Sequence, residues 1–530
     1  MVEKKRSKKQ AKVHKKKLCL GFVVIILVVV LCTLATLFGA FSDLNTIGVV
    51  FSEESGLYEK DIDLEMEVSG FSTKSPLMIR YNMNGDDLNN ESEEYNSSIK
   101  LEVPEEGYKL YTITASVCDT EQNCTKPVVA FYLLGRNLSE DMTLDIIGIN
   151  CSWHNLYDYD YGIMTGGATY DLNRKSVDGD TYVSGNYNNR GKKWLRDAFI
   201  YMVSNDGETI INREGYIGIS GETSSSYSVK SLKVAFYDEG KRDEVLKLRS
   251  GSQDQFSGNI RSSLINRLIA ESGYDGGTST ERVVVFLNGE FYGIFDLQDD
   301  YSRVNLANRF GISNEKAIRI FKGSERMALE ENGFWASIWD DLDTLEKRVS
   351  LERKVDMESF LIYYAIQILV NNTDWPMNNY MAWKYKGDIV GTNKYTDGRL
   401  RFLLRDTDLT YFTDNNIDWF DGCKGDIFKQ IMEGEYRGTE SVFPKVMESE
   451  YYRNRFIEIL RELINGPFRT ENVLKIIDEE AAKIDHQVEL WSTPEEYEEW
   501  EHWIEVLRGA AASREQEVRD DVFKYFGVVL

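Results

Sequence analysis

The amino-acid sequence predicts a multidomain protein with a single transmembrane helix, a small all-β sandwich and a large α+β domain. Three observations predict this division. Residues 18–41 carry no charge, residues 49–135 form short alternating runs between turns, and strand-like segments give way to helical ones beyond residue 140. In this large domain, residues 140–530, the pattern predicts a β-rich N-terminal half to about residue 300 and a helical C-terminal half after residue 355.

The N-terminal segment predicts a membrane anchor. Residues 1–17 carry nine Lys/Arg and one Glu, and the uncharged segment that follows has 24 residues. At about 1.5 Å per residue, such a helix crosses a hydrocarbon core of about 30 Å. Because basic flanks stay in the cytoplasm, we expect a single-pass protein with residues 42–530 outside it, at the cell surface. A cleaved signal peptide is the alternative, although the segment is longer than usual and lacks a small-residue cleavage motif.

The charge distribution argues against nucleic acid as a partner. The net charge is −25, and the first 17 residues contribute +8, which leaves −33 for the rest. A chain this acidic repels phosphate backbones and favours cations, metals or basic partners. Four histidines and the absence of a CxxC motif make zinc improbable. Cys118 and Cys124 flank five residues and predict a local disulfide.

The segment 49–135 predicts a small β-sandwich. The runs DIDLEMEV (61–68), LMIRYNM (77–83) and YTITASV (111–117) have strand character, and NGDD and PEEG supply turns. The segment resembles the chitobiase C-terminal-like module, although IRYNMNGDD departs from that module's hairpin pattern. Such modules are more often spacers than binding domains, since sandwich folds host many roles.

Two hairpins in the large domain carry candidate site residues. Residues 215–236 predict two strands around a Gly/Ser turn, with Lys230 on the same inward face as Leu232 and Lys233 facing outward. An inward lysine beside such a turn is a candidate phosphate ligand, and a lysine that extends past a sheet edge is the alternative. Residues 283–297 predict a further hairpin around Asn288-Gly289.

The segment after the apolar run FLIYYAIQILV (360–370) is rich in oxygen donors. The run predicts a buried helix, and NNTDWPMNNYMAWKYKGD (371–388) follows it. Strand-like runs at 379–387 and 398–408 predict an antiparallel hairpin, which brings the start of one strand to the end of the other. This end would gather Asp374, Asn379, Asp406 and Asp408, an all-oxygen set that suits Mg²⁺ or Mn²⁺. A helix stop with solvated acids is the alternative.

Four ordered stretches within residues 200–530 resemble the CotH kinase family, atypical protein kinases related to a spore coat protein. They are ISGETSSSYSVKSLKV (219–234), LRSGSQDQFSGNIRSSL (248–264), FLNGEFYGIFDLQDD (286–300), and NTDWPMNNYMAWKY (372–385) followed by FLLRDTDLTYF (402–412). The resemblance implies phosphorylation of protein hydroxyls with ATP and Mg²⁺ or Mn²⁺. It implies a catalytic role for Asp374, and metal binding by Asn379, Asp406 and Asp408. It also implies nucleotide contacts from Lys230, Ser224, Ser225 and Asp299.

Departures from the family pattern leave two functions open. Four departures fall in the nucleotide-binding half, where the pattern has Arg, Pro, Glu and Asp: they are Ser220, Ser228, Asp299 and Ser262. The first function is a membrane-anchored, extracytoplasmic protein kinase that phosphorylates Ser/Thr hydroxyls of envelope or secreted proteins. The alternative is a non-catalytic surface adhesion protein built on a kinase-like scaffold. The retained D-x4-N and D-x-D groups favour the kinase, because clustered acids repel each other without a ligand.

Overall fold

The computed structural model describes most of the chain beyond residue 46. The described residues are 47–70, 76–89, 91–121, 123–175, 182–236, 244–330, 333–334, 338, 342–412, 425–434 and 441–530. The predicted basic tail (1–17) and transmembrane helix (18–41) lie outside them. Within the described ranges, no helix is both long and apolar enough to cross a membrane. The chain divides into two compact units, one up to Val103 with Tyr111–Leu134, the other Pro104–Leu110 with Gly135–Leu530.

The first unit is all-β, and its short strands confirm the predicted β-rich N-terminal region. Strands β2, β9, β8, β5 and β6 form a five-stranded sheet in that order, while β1 pairs with β4 and β3 with β7. Cys118 and Cys124 form the predicted disulfide. The likeness to a chitobiase-type module stays a prediction. The strands are β1 Gly48–Phe51, β2 Gly56–Tyr58, β3 Ile62–Leu64, β4 Met66–Ser69, β5 Leu77–Asn82, β6 Glu93–Glu94, β7 Ile99–Leu101, β8 Tyr108–Asp119 and β9 Val128–Gly135.

A closed seven-stranded barrel forms the β-rich half of the second unit. Its order is β10-β11-β12-β13-β14-β16-β15, and β10 closes it by parallel pairing with β15. Alternate side chains, among them Leu232, Val234 and Leu248, fill the interior. The strands are β10 Asp145–Asn150, β11 Arg196–Val203, β12 Thr209–Ile219, β13 Leu232–Phe236, β14 Glu244–Arg249, β15 Thr280–Leu287 and β16 Glu290–Asp299.

Both hairpins predicted for this half are confirmed. Strands β12 and β13 pair antiparallel across the Gly/Ser turn, with Tyr216 opposite Ala235. Strands β15 and β16 join at Asn288 and Gly289, whose φ angles of 53° and 87° are the left-handed values that a tight two-residue hairpin needs.

Outside the barrel, the second unit contains a three-stranded antiparallel sheet and helices, and the long helices beyond residue 355 confirm the predicted helical half. The sheet contains β17 Ile318–Gly323, β18 Tyr380–Tyr385 and β19 Arg401–Phe402. The helices are α1 Leu138–Asp141, α2 Trp153–Tyr157, α3 Gly167–Arg174, α4 Arg261–Ser272, α5 Arg303–Arg309, α6 Glu325–Glu330, α7 Leu345–Glu352, α8 Met357–Leu369, α9 Ile427–Glu433, α10 Phe443–Glu448, α11 Glu450–Ile464, α12 Thr470–Trp491 and α13 Pro494–Phe526.

Helix α8 and the β18–β19 hairpin position the candidate site. Helix α8 is almost wholly buried, as its apolar sequence predicts. Strand β19 is shorter than the predicted run 398–408, because the chain leaves the sheet after Leu403. The Leu403 amide still donates to the Met381 carbonyl at 3.0 Å, but the Leu404 amide donates to the Gly276 carbonyl at 2.9 Å. Asp406 then takes a left-handed φ of 59°. The acids of the D-x-D group therefore lie on a loop, not on a strand.

Candidate active site

A polar cavity of about 130 Å³ lies against the outer face of the barrel. The β14 residues Leu246 and Leu248 pack toward the barrel core, so Lys247 and Arg249 face outward by the two-residue alternation of a strand. The wall opposite comes from β17, β18 and the loop after β19. The lining includes four cationic side chains, Lys247, Arg249, Lys322 and Arg405, together with the carboxylates of Asp299, Asp300 and Asp406.

Arg249 holds both acids of the D-x-D group. Its Nη2 lies 2.6 Å from Oδ1 of Asp406 and 2.7 Å from Oδ1 of Asp408. The second oxygen of Asp408 accepts from the Gln253 amide at 3.2 Å. The side chain of Asp408 is 5% exposed and that of Asp406 is 28% exposed. Of the two acids, only Asp406 lines the cavity. Asp406 is therefore the acid that is placed to meet a ligand.

The two acids have opposite pKa shifts because they share one arginine. Burial opposes ionisation of Asp406, but Arg249 and Arg405 outweigh it and hold the Asp406 pKa below its usual range. Burial and the charge of Asp406 raise the pKa of Asp408, against the pull of Arg249. On the cationic side, burial and the neighbouring Arg249 lower the pKa of Lys247 to about 8. The cavity thus carries a crowded set of partly desolvated charges.

Asp374 lies in the loop that follows α8, and two amides orient it. Asn379 Nδ2 donates to Oδ2 of Asp374 at 2.6 Å, and Asn378 Nδ2 donates to Oδ1 at 2.9 Å. Asn379 has a φ of 60°, which asparagine tolerates better than most residues. The Thr373 amide donates to the Leu409 carbonyl at 3.3 Å, which ties this loop to the one that carries the D-x-D acids. The four predicted residues therefore form two pairs on adjoining loops.

The predicted nucleotide contacts fall in two places. Asp299 lines the cavity, but Lys230, Ser224 and Ser225 are not among the described residues that do so. Lys230 is buried, as its predicted inward face requires. Its Nζ donates to the Tyr227 carbonyl and lies 5.0 Å from the centre of the Tyr187 ring, and burial lowers its pKa to about 8.

The two serines lie in the turn that precedes Lys230. Ser225 accepts from Asn188 Nδ2 at 2.9 Å, and its hydroxyl donates to the Glu222 carbonyl. Ser224 is buried beside it. The Gly/Ser turn and Lys230 thus form one local cluster whose hydrogen bonds stay within the barrel end.

Lys247, Arg249, Lys322 and Arg405 are cavity residues that the sequence interpretation missed. The sequence does contain a signal for two of them. In EVLKLR (244–249), Lys247 and Arg249 alternate with Leu246 and Leu248, so a strand must place both cations on one face. That pattern indicates a cationic face but not what covers it.

The oxygen donors fit a divalent metal that arrives with phosphates. Among the described residues, no group of three or more His, Cys, Asp or Glu side chains could hold a metal ion. Asp406 nevertheless offers a partly exposed carboxylate, with a lowered pKa, at the wall of a cavity rich in cationic side chains. Mg²⁺ is commonly bound through one or two carboxylates plus substrate phosphates. The site therefore fits a nucleotide-bound metal and not a metal held by protein ligands alone.

Comparison with known proteins defines the class of the domain. The family model described as CotH kinase protein matches residues 217–518, more than half of the chain. The chain therefore belongs to the CotH kinase family, and the resemblance noted in its sequence is confirmed. Among solved structures, the chain is similar to the proinflammatory kinase CtkA of Helicobacter pylori, with 9% identity and a TM-score of 0.27 over 54% of this chain and 94% of that one. So low a likeness carries no argument about this site. No curated protein matches the chain.

Proposed function

We propose that this chain is an atypical protein kinase that uses ATP with Mg²⁺ or Mn²⁺ to phosphorylate Ser/Thr hydroxyls of proteins. Membership of the CotH kinase family supports the reaction class. The polar cavity against β14 is the observation that carries the proposal, because it combines clustered cations with an ionised acid that opens into it. Asp374 lies on the adjoining loop, which is tied to the loop of that acid by a backbone hydrogen bond.

The cavity cations are suited to the ATP phosphates. Lys247 and Lys322 both have lowered pKa values, because each is buried near another cation. Crowded cations repel one another, and a polyanion would relieve that repulsion through charge-assisted hydrogen bonds. Arg249 and Arg405 add planar donors that match phosphate oxygens. We therefore assign phosphate binding to these four residues, with Lys230 as a separate candidate that rests on the family resemblance.

Asp406 would hold the metal, with Asn379 as the other candidate ligand that the sequence predicts. A divalent ion held there would supply positive charge to the transferring phosphoryl group. Asp408 is less suited to this task, since one of its oxygens contacts Arg249 and the other accepts from the Gln253 amide. Its role is to hold the arginine and the adjoining turn in place.

Asp374 would act as the base that receives the proton of the attacking hydroxyl. The hydroxyl oxygen bonds to the γ-phosphorus, the bond from that phosphorus to the ADP oxygen breaks, and the hydroxyl proton moves to the carboxylate. Asn378 and Asn379 each donate to one oxygen of Asp374, which fixes the plane of the carboxylate.

We further propose that residues 18–41 anchor the protein in a membrane and that the kinase domain faces away from the cytoplasm. The basic N-terminal block and the uncharged run support this orientation. Substrates would then be secreted or envelope proteins. An acidic ectodomain favours basic protein segments over acidic ones.

A non-catalytic adhesion protein on the same scaffold is the second candidate. Ser220 favours it, since this residue lines the cavity where the family pattern places an arginine. The cavity therefore has one cation fewer than the pattern implies. A scaffold of this kind would bind protein partners without transferring phosphate.

Transfer of labelled phosphate to a Ser-containing basic protein tests the proposal. Wild type should label the acceptor in the presence of Mn²⁺ or Mg²⁺. Asp374→Asn keeps the shape of the side chain but cannot take a proton, so transfer should fall by roughly 100-fold or more. Asp388→Asn, at an exposed acid after β18, is the matched control and should behave as wild type. If wild type binds ATP but labels neither the acceptor nor itself, the adhesion function is favoured instead.

A further inference from the structure

Arg249 is a nearly inaccessible cation that contacts two acids, Asp406 and Asp408. One guanidinium nitrogen, Nη2, contacts both Asp406 and Asp408, and the arginine side chain is 4% exposed. The Nε of Arg249 is buried and has no hydrogen-bond partner among the described residues. Arg249 is thus held through Nη2 by its contacts with the two carboxylates, while its Nε makes no hydrogen bond with the described residues.

The position of Arg249 bears on how many metal ions the site can take. Two adjacent carboxylates that are both ionised repel each other unless a cation lies between them, and here the Arg249 guanidinium contacts both acids. A divalent ion that bridged Asp406 and Asp408 would have to displace Arg249 into a space already shared with Lys247 and Arg405. Like charges at such short range oppose that displacement.

Asp406 and Asp408 differ in which of their carboxylate oxygens remain available to a metal ion. Both oxygens of Asp408 are engaged, one by Arg249 and one by the Gln253 amide. Asp406 contacts Arg249 through Oδ1 and is the more exposed of the two. A metal can therefore approach Asp406 from the cavity through the oxygen that Arg249 does not contact, while Arg249 keeps its contacts with both Oδ1 atoms.

We propose that Arg249 occupies the place of a second metal ion, so that the site takes one divalent ion, on Asp406, and only together with nucleotide phosphates. The inference rests on the proposed nucleotide site and deepens it. It predicts a protein with little affinity for free metal, because the resident arginine already neutralises the acid pair. It also predicts that removing the charge of Arg249 creates a metal site that is independent of nucleotide.

Electron paramagnetic resonance of Mn²⁺ counts bound ions in the full chain in detergent micelles, with and without a non-hydrolysable ATP analogue. Wild type should bind one Mn²⁺ per bound analogue and should bind Mn²⁺ weakly without it. Arg249→Met should tighten analogue-free Mn²⁺ binding by about ten-fold or more, a change on the scale of neighbouring-group effects at metal sites. Arg249→Lys keeps the charge and should stay close to wild type.

Arg196→Met is the control for loss of a buried arginine. Arg196 is 1% exposed and its guanidinium donates to the carbonyls of Tyr161, Lys193 and Leu195. This variant should lose stability without gaining analogue-free Mn²⁺ affinity. The inference is overturned if wild type binds two Mn²⁺ per analogue, or if folded Arg249→Met binds free Mn²⁺ no better than wild type. If Arg249→Met does not fold, the wild-type stoichiometry decides.

The outcome also separates this inference from the proposed function. A wild type that binds no analogue at all contradicts the kinase proposal, and the analogue-free titrations of wild type, Arg249→Met and Arg249→Lys still decide the role of Arg249. A wild type that binds the analogue with two metal ions leaves the kinase proposal intact and rejects the inference alone.

Discussion

Replacing the buried Glu325 with glutamine should remove a pH-dependent loss of stability; Glu325 lies next to the loop that carries Asp374. Glu325 begins α6, is 4% exposed, and its Oε1 accepts hydrogen bonds from the Tyr364 hydroxyl and from the Val442 amide at 3.1 Å. Its own amide donates to the carbonyl of Pro376, two residues after Asp374, at 3.0 Å. Burial raises the pKa of Glu325 from 4.5 to about 7. The change Glu325→Gln keeps the shape and the acceptor but cannot ionise.

The sign and size of the effect follow from that raised pKa. Between about pH 4.5 and 7 the folded protein keeps a proton on Glu325 that the unfolded chain releases. The stability contributed by this proton is complete below pH 4.5 and is lost as the pH rises through 7. The full difference corresponds to about 3 kcal/mol. The glutamine variant should therefore lie within about 1 kcal/mol of wild type at pH 5 and exceed its free energy of unfolding by up to about 3 kcal/mol at pH 8.

Urea unfolding followed by tryptophan fluorescence measures this difference. All ten tryptophans lie at residue 153 or beyond, so the signal reports on the second unit alone. Glu330→Gln, on the same helix, is the control. Glu330 forms a surface ion pair with Arg326 at 2.8 Å, and such pairs contribute only about 0–1 kcal/mol. If the difference in free energy of unfolding between Glu325→Gln and wild type is the same at pH 5 and pH 8, the argument about Glu325 is wrong. The argument is also wrong if Glu330→Gln shows the same pH dependence as Glu325→Gln.

Three further predictions concern the nucleotide, the core and the membrane. Lys247→Ala should weaken ATP binding, measured by calorimetry, by about 1.5–3 kcal/mol, the usual cost of a lost charged contact. Lys230→Ala should weaken it less. If Lys230→Ala has the larger effect, the phosphates bind at the Gly/Ser turn instead. Arg261→Met should cost about 3–5 kcal/mol of urea stability, because it leaves the buried Asp254 unpaired, and an unchanged midpoint would contradict this. Protease added to intact cells should digest residues 42–530, and full protection would reject the proposed orientation.

The local architecture of the kinase domain could be predicted because its strands and turns follow short-range rules. The Asn288-Gly289 hairpin, the strands on either side of the Gly/Ser turn and the buried helix α8 all follow from alternation, turn chemistry or apolar length. Closure of the barrel could not be predicted in this way. It depends on parallel pairing of β10 with β15, which sets Ile146 beside Val284. No local pattern encodes contacts between strands so far apart in sequence.

The acids of the candidate site were easier to predict than its cations. The D-x4-N spacing places Asn379 against Asp374, and the hairpin explains why the D-x-D loop adjoins them. The inward orientation of Lys230 was also predicted, but the structure places this residue at the end of the barrel and not at the cavity. Lys247 could be assigned to an outward face from sequence alternation. Only the structure shows that the β17–β19 sheet and the following loop enclose that face.

A crystal structure with Mn²⁺ and a non-hydrolysable ATP analogue is the most direct test of the central claim, that the polar cavity is the nucleotide and metal site. Anomalous scattering locates the manganese independently of any interpretation of the density. The account predicts one manganese peak within bonding distance of an Asp406 oxygen, with the analogue phosphates beside Lys247 and the γ-phosphate facing Asp374. A nucleotide bound at the Gly/Ser turn near Lys230, with no manganese at Asp406, would contradict it.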